Sequence, residues 1–257
     1  MKVQVLLPKI FNFTFTYNHD QKKNYKIGDI VEVPFGSKNE IGVIWSGSST
    51  IDKKIKIKNI KKKIENFSLS NKLIKFVDWF SMYNMVPKGL TLKMCIGGNV
   101  NFFKKNKEKI KNIDTNIEKY QLNELQKTAL KHLEKINKGF NVSVLQGVTG
   151  SGKTLVYFER IKKIISRKKQ ALVLLPEIFL TNQFKKRFED FFGFTPAVWH
   201  SRITPKNKRI IWQGILNGKI KLVVGARSAL LLPYKNLGLI IVDEEHDSSY
   251  KQDEGTI

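Results

Sequence analysis

The sequence predicts an α/β protein built from a small β-rich domain followed by a larger domain with a parallel sheet. Residues 1–65 contain short apolar runs separated by turns with Asn, Gly or Pro, which is typical of β-strands. From residue 121 onward, short apolar strands alternate with helical segments, the pattern of a parallel sheet. The 257 residues, 41% of them hydrophobic, provide enough apolar material for two domains.

Five strands are predicted in the first domain, at residues 3–7, 11–17, 30–33, 41–45 and 55–64. Strands of this length fit a compact barrel or sandwich. Ser70 is placed to cap a helix whose Leu73, Val77 and Phe80 share one face, and which should end before Pro87. This helix closes a domain that we place at residues 1–100.

A Lys- and Asn-rich segment with little apolar periodicity follows at residues 101–120, and we interpret it as a charged linker. The second domain then occupies residues 121–257. Its strands are predicted at residues 142–146, 171–175, 197–199, 222–225 and 239–242. The last strand is bounded by Gly238 and by acidic residues, and its unbroken apolar run predicts burial on both faces.

A phosphate-binding loop connects the first of these strands to a helix. Its eight residues fit the pattern G-x-x-x-x-G-K-[ST] and are Gly147, Val148, Thr149, Gly150, Ser151, Gly152, Lys153 and Thr154. In such loops the backbone N–H groups face phosphate oxygens. Lys153 is expected to reach the terminal phosphates and Thr154 to hold Mg²⁺. The loop therefore predicts a nucleotide-binding protein.

An acidic group follows the last predicted strand. It consists of Asp243, Glu244, Glu245 and His246, at the sheet edge where doubly wound folds bind ligands. Asp243 is expected to reach the magnesium ion, directly or through water, and Glu244 to orient or deprotonate the attacking water. Glu245 fits a solvated turn equally well, whereas His246 suits a relay between the nucleotide and a second ligand.

The net charge of +24 favours a polyanionic partner, with nucleic acid as the first candidate. A coding bias toward Lys, Asn and Ile would also produce such a composition. No apolar stretch approaches the roughly 18 residues that span a bilayer, so we expect a cytoplasmic protein with no membrane partner. Cys95 is the only cysteine, which excludes a disulfide or a cysteine-based zinc site within this chain. It should be a small buried hydrophobe.

The ordered motifs of the second domain resemble those of the PriA family of replication-restart helicases, in helicase superfamily 2. The matching segments are G-V-T-G-S-G-K-T at 147–154, L-L-P-E-I at 174–178, W-H-S at 199–201, V-G-A-R-S-A at 224–229 and D-E-E-H-D-S-S-Y-K-Q at 243–252. The resemblance implies a RecA-like first motor lobe that binds ATP and Mg²⁺. It also implies that Gln126 contacts adenine and that Arg227 and Ser228 contact single-stranded DNA. Without it, Gln126 would read as an exposed residue of a capped helix and the other two as a solvated loop.

The first domain resembles that family's domain for the 3′ end of a DNA strand, through T-F-T-Y at 14–17, V-P-F-G at 33–36 and I-K at 57–58. The resemblance implies DNA contacts by Phe15, Thr16, Gly36 and Lys58. Thr16 stands where the family usually has Asp, so recognition of the terminal hydroxyl should be weakened or altered. Without the resemblance, Phe15 fits a core residue, Gly36 a turn and Lys58 a solvated strand residue.

The chain also departs from the family pattern. A winged-helix domain normally lies between the two parts, and the roughly fifty residues available here cannot form one. The second motor lobe, its arginine finger and the cysteine-rich zinc region are not in this sequence, so zinc is expected for the family but has no site in this chain.

These patterns together predict an ATP-dependent 3′-to-5′ DNA helicase that recognises stalled or abandoned replication forks and starts replication restart. Its expected partners are fork-structured and single-stranded DNA and, by resemblance, primosome proteins and single-stranded DNA-binding protein. The 257 residues alone should have little activity, because one lobe lacks the opposing catalytic surface. The alternative is a non-enzymatic fork-binding protein with a nucleotide-binding lobe. A generic P-loop kinase fits the acidic group and the 226–229 segment less well.

Overall fold

The computed structural model describes residues 1–22, 24–47, 56–96, 100–103, 120–135, 139–148, 150–176 and 182–251. Within these ranges the fold is mixed α/β, with one antiparallel and one parallel sheet, which confirms the predicted fold class. Among the helices of these ranges, none is long and apolar enough to cross a membrane.

The first sheet is antiparallel, with the strand order β2-β1-β4-β3-β5. Its strands are β1 Lys2–Leu6, β2 Phe15–Asn18, β3 Asp29–Phe35, β4 Lys38–Trp45 and β5 Lys62–Ser68. Asn18, at the end of the edge strand β2, bonds to the segment before the opposite edge strand: its N–H donates to the Lys58 carbonyl at 2.9 Å, and the Ile60 N–H donates to its carbonyl at 2.9 Å. The sheet therefore curls toward a barrel.

Two strands of this sheet begin later than the sequence predicts. The predicted bounds of the strand at 55–64 are wrong, because β5 starts at Lys62 and runs to Ser68. The buried residues Ile64 and Phe67 fix this position, since both enter the core. The predicted strand 11–17 also begins too early, because β2 starts at Phe15. After Pro8 the chain makes tight turns, in which the N–H groups of Lys9 and Phe11 donate to carbonyls two residues earlier.

Two helices follow this sheet: α1 Asn71–Tyr83 and α2 Lys88–Cys95. The hydroxyl of Ser70 accepts a hydrogen bond from the Leu73 N–H at 3.3 Å, which confirms the predicted cap. A short 3₁₀ helix, Val100–Phe103, comes next along the chain.

The second sheet is parallel, with the strand order β7-β8-β6-β9. Its strands are β6 Gln170–Leu174, β7 Ala197–Trp199, β8 Leu222–Gly225 and β9 Leu237–Val242. The helices of this part are α3 Glu124–Lys135, α4 Lys153–Ser166, α5 Asn182–Phe192 and α6 Pro205–Leu216, and 3₁₀ helices occupy Arg227–Leu231 and Ser248–Tyr250. Residues of α4 and α5 cover one face of the sheet, and residues of α6 cover the other.

Two predictions about the parallel sheet are wrong. Residues 142–146 do not form a strand, and Val142 and Val144 are 77% and 88% exposed. The predicted burial of the last strand on both faces is also incorrect. β9 lies at the edge of the sheet, where its alternate side chains Ile240 and Val242 are 45% and 47% exposed. The apolar run at 239–242 did not show that this strand would lie at the edge of the parallel sheet.

The two parts of the chain share one buried core around Trp212, which is 1% exposed. The Trp212 indole N–H donates to the Cys95 carbonyl at 2.8 Å. Its ring packs edge-on against Phe102 and Phe103, with centroids 5.4 Å and 5.5 Å away. Cys95 is buried as expected, and burial raises its thiol pKa to about 12. Helix α6 of the second part is thus packed directly on the end of α2.

Candidate nucleotide and DNA-end sites

The phosphate-binding loop leads directly into α4, whose first residue is Lys153. Gly150 and Gly152 have φ values of +80° and +81°, in the left-handed region that glycine adopts without steric cost. Gly147, Val148 and Ser151 of the loop are exposed. Thr149 lies outside the described residues. The described loop presents backbone and the helix N-terminus to solvent, as phosphate binding requires.

The Lys153 ammonium folds over the loop. It donates to the carbonyl oxygens of Gly147 at 2.7 Å and Val148 at 3.2 Å. These two hydrogen bonds hold the Lys153 ammonium beside the loop. When a phosphate binds, the ammonium would donate to charged phosphate oxygens instead of the two carbonyl oxygens. Since a charge-assisted bond to phosphate is stronger than one to a neutral carbonyl, the exchange is favourable.

Gln126 lies against the same loop. Its side chain and that of Asn123 cap α3 reciprocally, because each side-chain oxygen accepts the other residue's backbone N–H, at 3.0 Å and 2.9 Å. The Gln126 amide nitrogen donates to the Ser151 carbonyl at 3.1 Å. A Cβ built on Gly152 would lie 2.3 Å from that nitrogen. Gln126 is therefore both a capping residue and a contact of the loop, and Gly152 makes this close approach possible.

A buried tyrosine connects the loop helix to the acidic group. The Tyr157 hydroxyl on α4 donates to Asp243 Oδ2 at 2.8 Å, and Thr154 is within hydrogen-bonding reach of the same hydroxyl. Burial, followed by the nearby Asp243 charge, raises the Tyr157 pKa far above its usual value. Sequence reasoning missed this residue because Tyr157 stands between Val156 and Phe158 in an apolar helix, where nothing marks its hydroxyl.

Asp243 is held at the end of β9 through both its backbone and its side chain. Its N–H donates to the Leu174 carbonyl at 3.1 Å, and its second carboxylate oxygen accepts the Glu244 N–H at 3.1 Å. Glu244 itself has a φ of +52°, which is uncommon for a residue with a side chain and turns the chain sharply after the strand. His246 Nε2 lies 3.6 Å from Glu244 Oε2 at an exposed position.

A second tyrosine links the acidic group to the segment after β8. The Tyr250 hydroxyl donates to the Asp243 carbonyl at 2.8 Å, and the Arg227 guanidinium donates to the Tyr250 carbonyl at 3.5 Å. Burial and the neighbouring acids raise the Tyr250 pKa above its usual value. Arg227 and Ser228 are exposed at the start of their 3₁₀ helix. Hydrogen bonds through Tyr250 thus connect Arg227 to Asp243, and Ser228 is the next residue along the chain.

The oxygen donors at this site fit magnesium. The Thr154 hydroxyl and the Asp243 carboxylate approach the same Tyr157 hydroxyl, and Mg²⁺ is usually held by one or two protein oxygens plus water and phosphate. Over the described part of the chain, no group of three or more His, Cys, Asp or Glu side chains is arranged to hold a metal ion. Thr154 and Asp243 could provide two protein oxygens to a Mg²⁺ ion that also binds phosphate and water.

Three of the four residues predicted to contact a DNA end lie together. The Lys58 ammonium donates to the Gly36 carbonyl at 3.4 Å, and the ring of Phe15 lies 5.2 Å from that of Phe35, the residue before Gly36. Gly36 has a φ of +58°, and no atom lies within 4 Å of the position that a Cβ would take. The turn is thus open to an approaching ligand.

Thr16 faces the other side of the sheet from Phe15. Side chains alternate along β2, and the Thr16 hydroxyl exchanges hydrogen bonds with the Gln4 amide at 3.0 Å and 3.2 Å. Lys56 and Lys58 fall within the predicted strand 55–64 but precede β5 and are not in a strand.

Comparison with known proteins gives matches over nearly the whole chain. A family model described as "Type III restriction enzyme, res subunit" matches residues 119–256, and one described as "3'DNA-binding domain (3'BD)" matches residues 2–97. The replication restart protein PriA of Rickettsia conorii is 40% identical over 255 residues, which is 99% of this chain and 39% of the relative. The chain thus spans well under half the length of that relative.

Relatives from other species give shorter matches of higher identity. The replication restart protein PriA of Bacillus subtilis is 51% identical over 113 residues, covering 44% of this chain and 14% of the relative. The protein of the same name from Helicobacter pylori is 48% identical over 130 residues, covering 51% of this chain and 20% of the relative. All three relatives carry one name, so the resemblance does not depend on a single species.

Proposed function

The chain belongs to the family of the replication restart protein PriA, and from this premise we propose that it provides the ATP-binding lobe and the DNA-end-binding domain of an ATP-dependent 3′-to-5′ DNA helicase. The helicase acts at stalled or abandoned replication forks. Fork-structured and single-stranded DNA are its substrates, and primosome proteins and single-stranded DNA-binding protein are its proposed partners.

The observation that carries this proposal is the Tyr157 hydroxyl between Thr154 and Asp243. The phosphate-binding loop and the acidic group are about ninety residues apart in the sequence, and one buried side chain joins them. Chance occurrence of either motif would not produce that contact. The arrangement supports nucleotide hydrolysis more strongly than either motif does alone.

Each residue of the site has a defined task in this proposal. Lys153 exchanges its two carbonyl contacts for the terminal phosphates, and Gln126, beside the loop, reads the adenine. Thr154 and Asp243 would hold Mg²⁺, which neutralises phosphate charge when bound. Glu244, on the turn after β9, positions the attacking water.

The DNA-binding part of the proposal rests on Phe15, Gly36 and Lys58. An aromatic face, an open glycine turn and a lysine are the groups that bind an unpaired nucleotide through its base and phosphate. The net charge of +24 adds a long-range attraction for DNA. Arg227, which bonds through Tyr250 to Asp243, and the next residue Ser228 are the proposed contacts of the motor lobe.

The test compares two variants of the full-length protein by ATP binding and DNA-stimulated ATP hydrolysis. Lys153→Ala should lose ATP binding, because it removes the side-chain cation directed at the terminal phosphates. Glu244→Gln should retain ATP binding and lose hydrolysis, since an amide accepts a hydrogen bond but does not act as a base. Normal turnover by either variant would contradict its assigned role.

The same assay separates the helicase from its alternative. If the full-length protein binds fork DNA but shows no DNA-stimulated hydrolysis, the non-enzymatic fork-binding function is correct. Residues 1–257 alone should bind ATP weakly and turn it over minimally, because the opposing lobe supplies the arginine finger. Helicase-level ATP hydrolysis by residues 1–257 would show that the arginine finger of an opposing lobe is not required.

A further inference from the structure

We propose that Phe13 forms a second base-stacking position, next to the strand-end pocket, for the nucleotide that precedes the terminal one. This inference rests on the proposed binding of a DNA end by Phe15, Gly36 and Lys58. Its ligand is an unpaired base of single-stranded DNA, taken up without sequence preference.

The position is part of a continuous strip of rings. Phe13 lies 5.1 Å from Phe15 and 5.5 Å from Phe11, and Phe15 in turn lies 5.2 Å from Phe35. Lys58 and Gly36 stand at the Phe35 end, where the Lys58 ammonium contacts the Gly36 carbonyl. Phe13 therefore contacts Phe15 of the pocket directly and is two ring contacts from Phe35, at the place where a neighbouring base would come to lie.

Only one ring of the strip is largely open to solvent. Phe13 is 58% exposed, whereas Phe11, Phe15 and Phe35 are half-buried behind it. Ile10, beside this strip, is 71% exposed. An exposed aromatic ring supported by three others offers a large stacking face with little conformational freedom to lose.

The backbone that carries Phe11 and Phe13 is held by α2. The Gly89 N–H donates to the Phe11 carbonyl at 2.9 Å, and the Lys88 N–H donates to the side chain of Asn12 at 3.2 Å. A Cβ on Gly89 would lie 2.2 Å from the Lys9 carbonyl, so the helix and the turn are in direct contact. The aromatic strip thus has a fixed shape before any ligand binds.

Charge identifies the occupant as a nucleic acid strand. Lys9 places its ammonium 5.7 Å from the ring centre of Phe35, although it also pairs with Glu40 at 3.0 Å. Lys38 is exposed and stands directly across from Phe35 in the β3–β4 pair. Aromatic faces for bases beside lysines for phosphates are the combination by which proteins bind single strands without reading their sequence.

The experiment measures binding of the 257-residue chain to short single-stranded DNA by fluorescence anisotropy. Three oligonucleotides are compared: an unmodified one, one with an abasic residue at the 3′ terminus, and one with an abasic residue at the preceding position. Phe13→Ala should weaken binding of the unmodified strand about tenfold, within the range known for loss of one stacked base. Phe13→Trp should restore it.

The decisive result is whether the effect of the Phe13→Ala substitution and the effect of removing the preceding base are non-additive. Removing the preceding base should weaken binding about tenfold in the unmodified protein and have little further effect in Phe13→Ala. Trp79→Ala is the matched control, because Trp79 is 50% exposed on α1 of the same part of the chain and should leave binding unchanged.

Two outcomes would overturn the proposal in different ways. If the abasic residue at the preceding position weakens binding equally in the unmodified protein and in Phe13→Ala, Phe13 is not the stacking position. In that case, weaker binding by Lys58→Ala would still support the strand-end pocket. If the unmodified chain does not bind single-stranded DNA at all, both the pocket and the second position are wrong.

Discussion

The Tyr157 hydroxyl provides the sharpest test of the nucleotide site, because Tyr157→Phe removes one oxygen atom and retains the ring. The lost hydrogen bond joins Tyr157 to Asp243 Oδ2 at 2.8 Å. A bond to a charged group contributes about 1.5–3 kcal/mol. Asp243 is partly exposed, so water can replace part of the lost hydrogen bond. We therefore expect the free energy of unfolding to fall by about 1–2 kcal/mol. For a chain of this size, that lowers the Tm by about 2–8 °C.

The same substitution should weaken the affinity of the site for magnesium. A side chain that orients a metal ligand affects metal affinity by about 10- to 100-fold. Asp243 retains the Glu244 N–H on its other oxygen, so we expect the low end, about a tenfold increase in the Mg²⁺ concentration needed for half-maximal ATP hydrolysis by the full-length protein.

Tyr234→Phe is the matched control for this prediction. Tyr234 also donates a buried hydrogen bond, to the Ala229 carbonyl at 3.0 Å, and burial likewise raises its pKa. Its removal should lower the Tm without changing the Mg²⁺ dependence. If Tyr157→Phe and Tyr234→Phe give the same Mg²⁺ dependence, Tyr157 only stabilises the fold and the reasoning about the site is refuted.

Further predictions concern the contact between the two parts and the DNA-end site. Trp212→Ala should destabilise the chain by about 3–5 kcal/mol in denaturant unfolding, because a buried tryptophan leaves a cavity. Cys95 should resist thiol reagents at pH 8. Its folded pKa of about 12 exceeds the ordinary thiol pKa of 9.0, so its contribution to stability is complete below pH 9 and disappears as the pH rises toward 12, which pH-dependent unfolding would measure. Lys58→Ala should reduce the salt slope of single-strand binding by about 0.7, and an unchanged slope would exclude a phosphate contact. Thr16→Asp should leave discrimination against a 3′-phosphate unchanged, because Thr16 faces the other side of the sheet from Phe15 and bonds to Gln4. Increased discrimination in anisotropy assays would show that this position reaches the strand end.

Local patterns determined the motifs and most of the elements. The helix after the glycine-rich loop, the strand before Asp243 and the Ser70 cap each depend on residues close together in sequence, and the structure contains each of them. Strands at residues 197–199 and 222–225 agree with β7 and β8 to the residue. Sequence periodicity is reliable here because each element buries one regular set of side chains.

Tertiary structure decided which of these elements are central and which are exposed. The apolar residues of the 142–146 segment predicted a strand, yet Val142 and Val144 remain exposed, and β9 is at the sheet edge with Ile240 facing outward. An apolar run indicates that burial of its side chains would be favourable. It does not show whether a neighbouring strand is present to cover them.

The contacts that complete the sites also came only from the structure. Tyr157 meets Asp243 across 86 positions, and Trp212 meets Cys95 across 117. The sequence shows these residues as ordinary apolar positions of helices, because one polar atom does not alter a hydrophobic pattern. Their roles depend on which distant backbone or carboxylate lies opposite that atom, and this is fixed only when the helices pack.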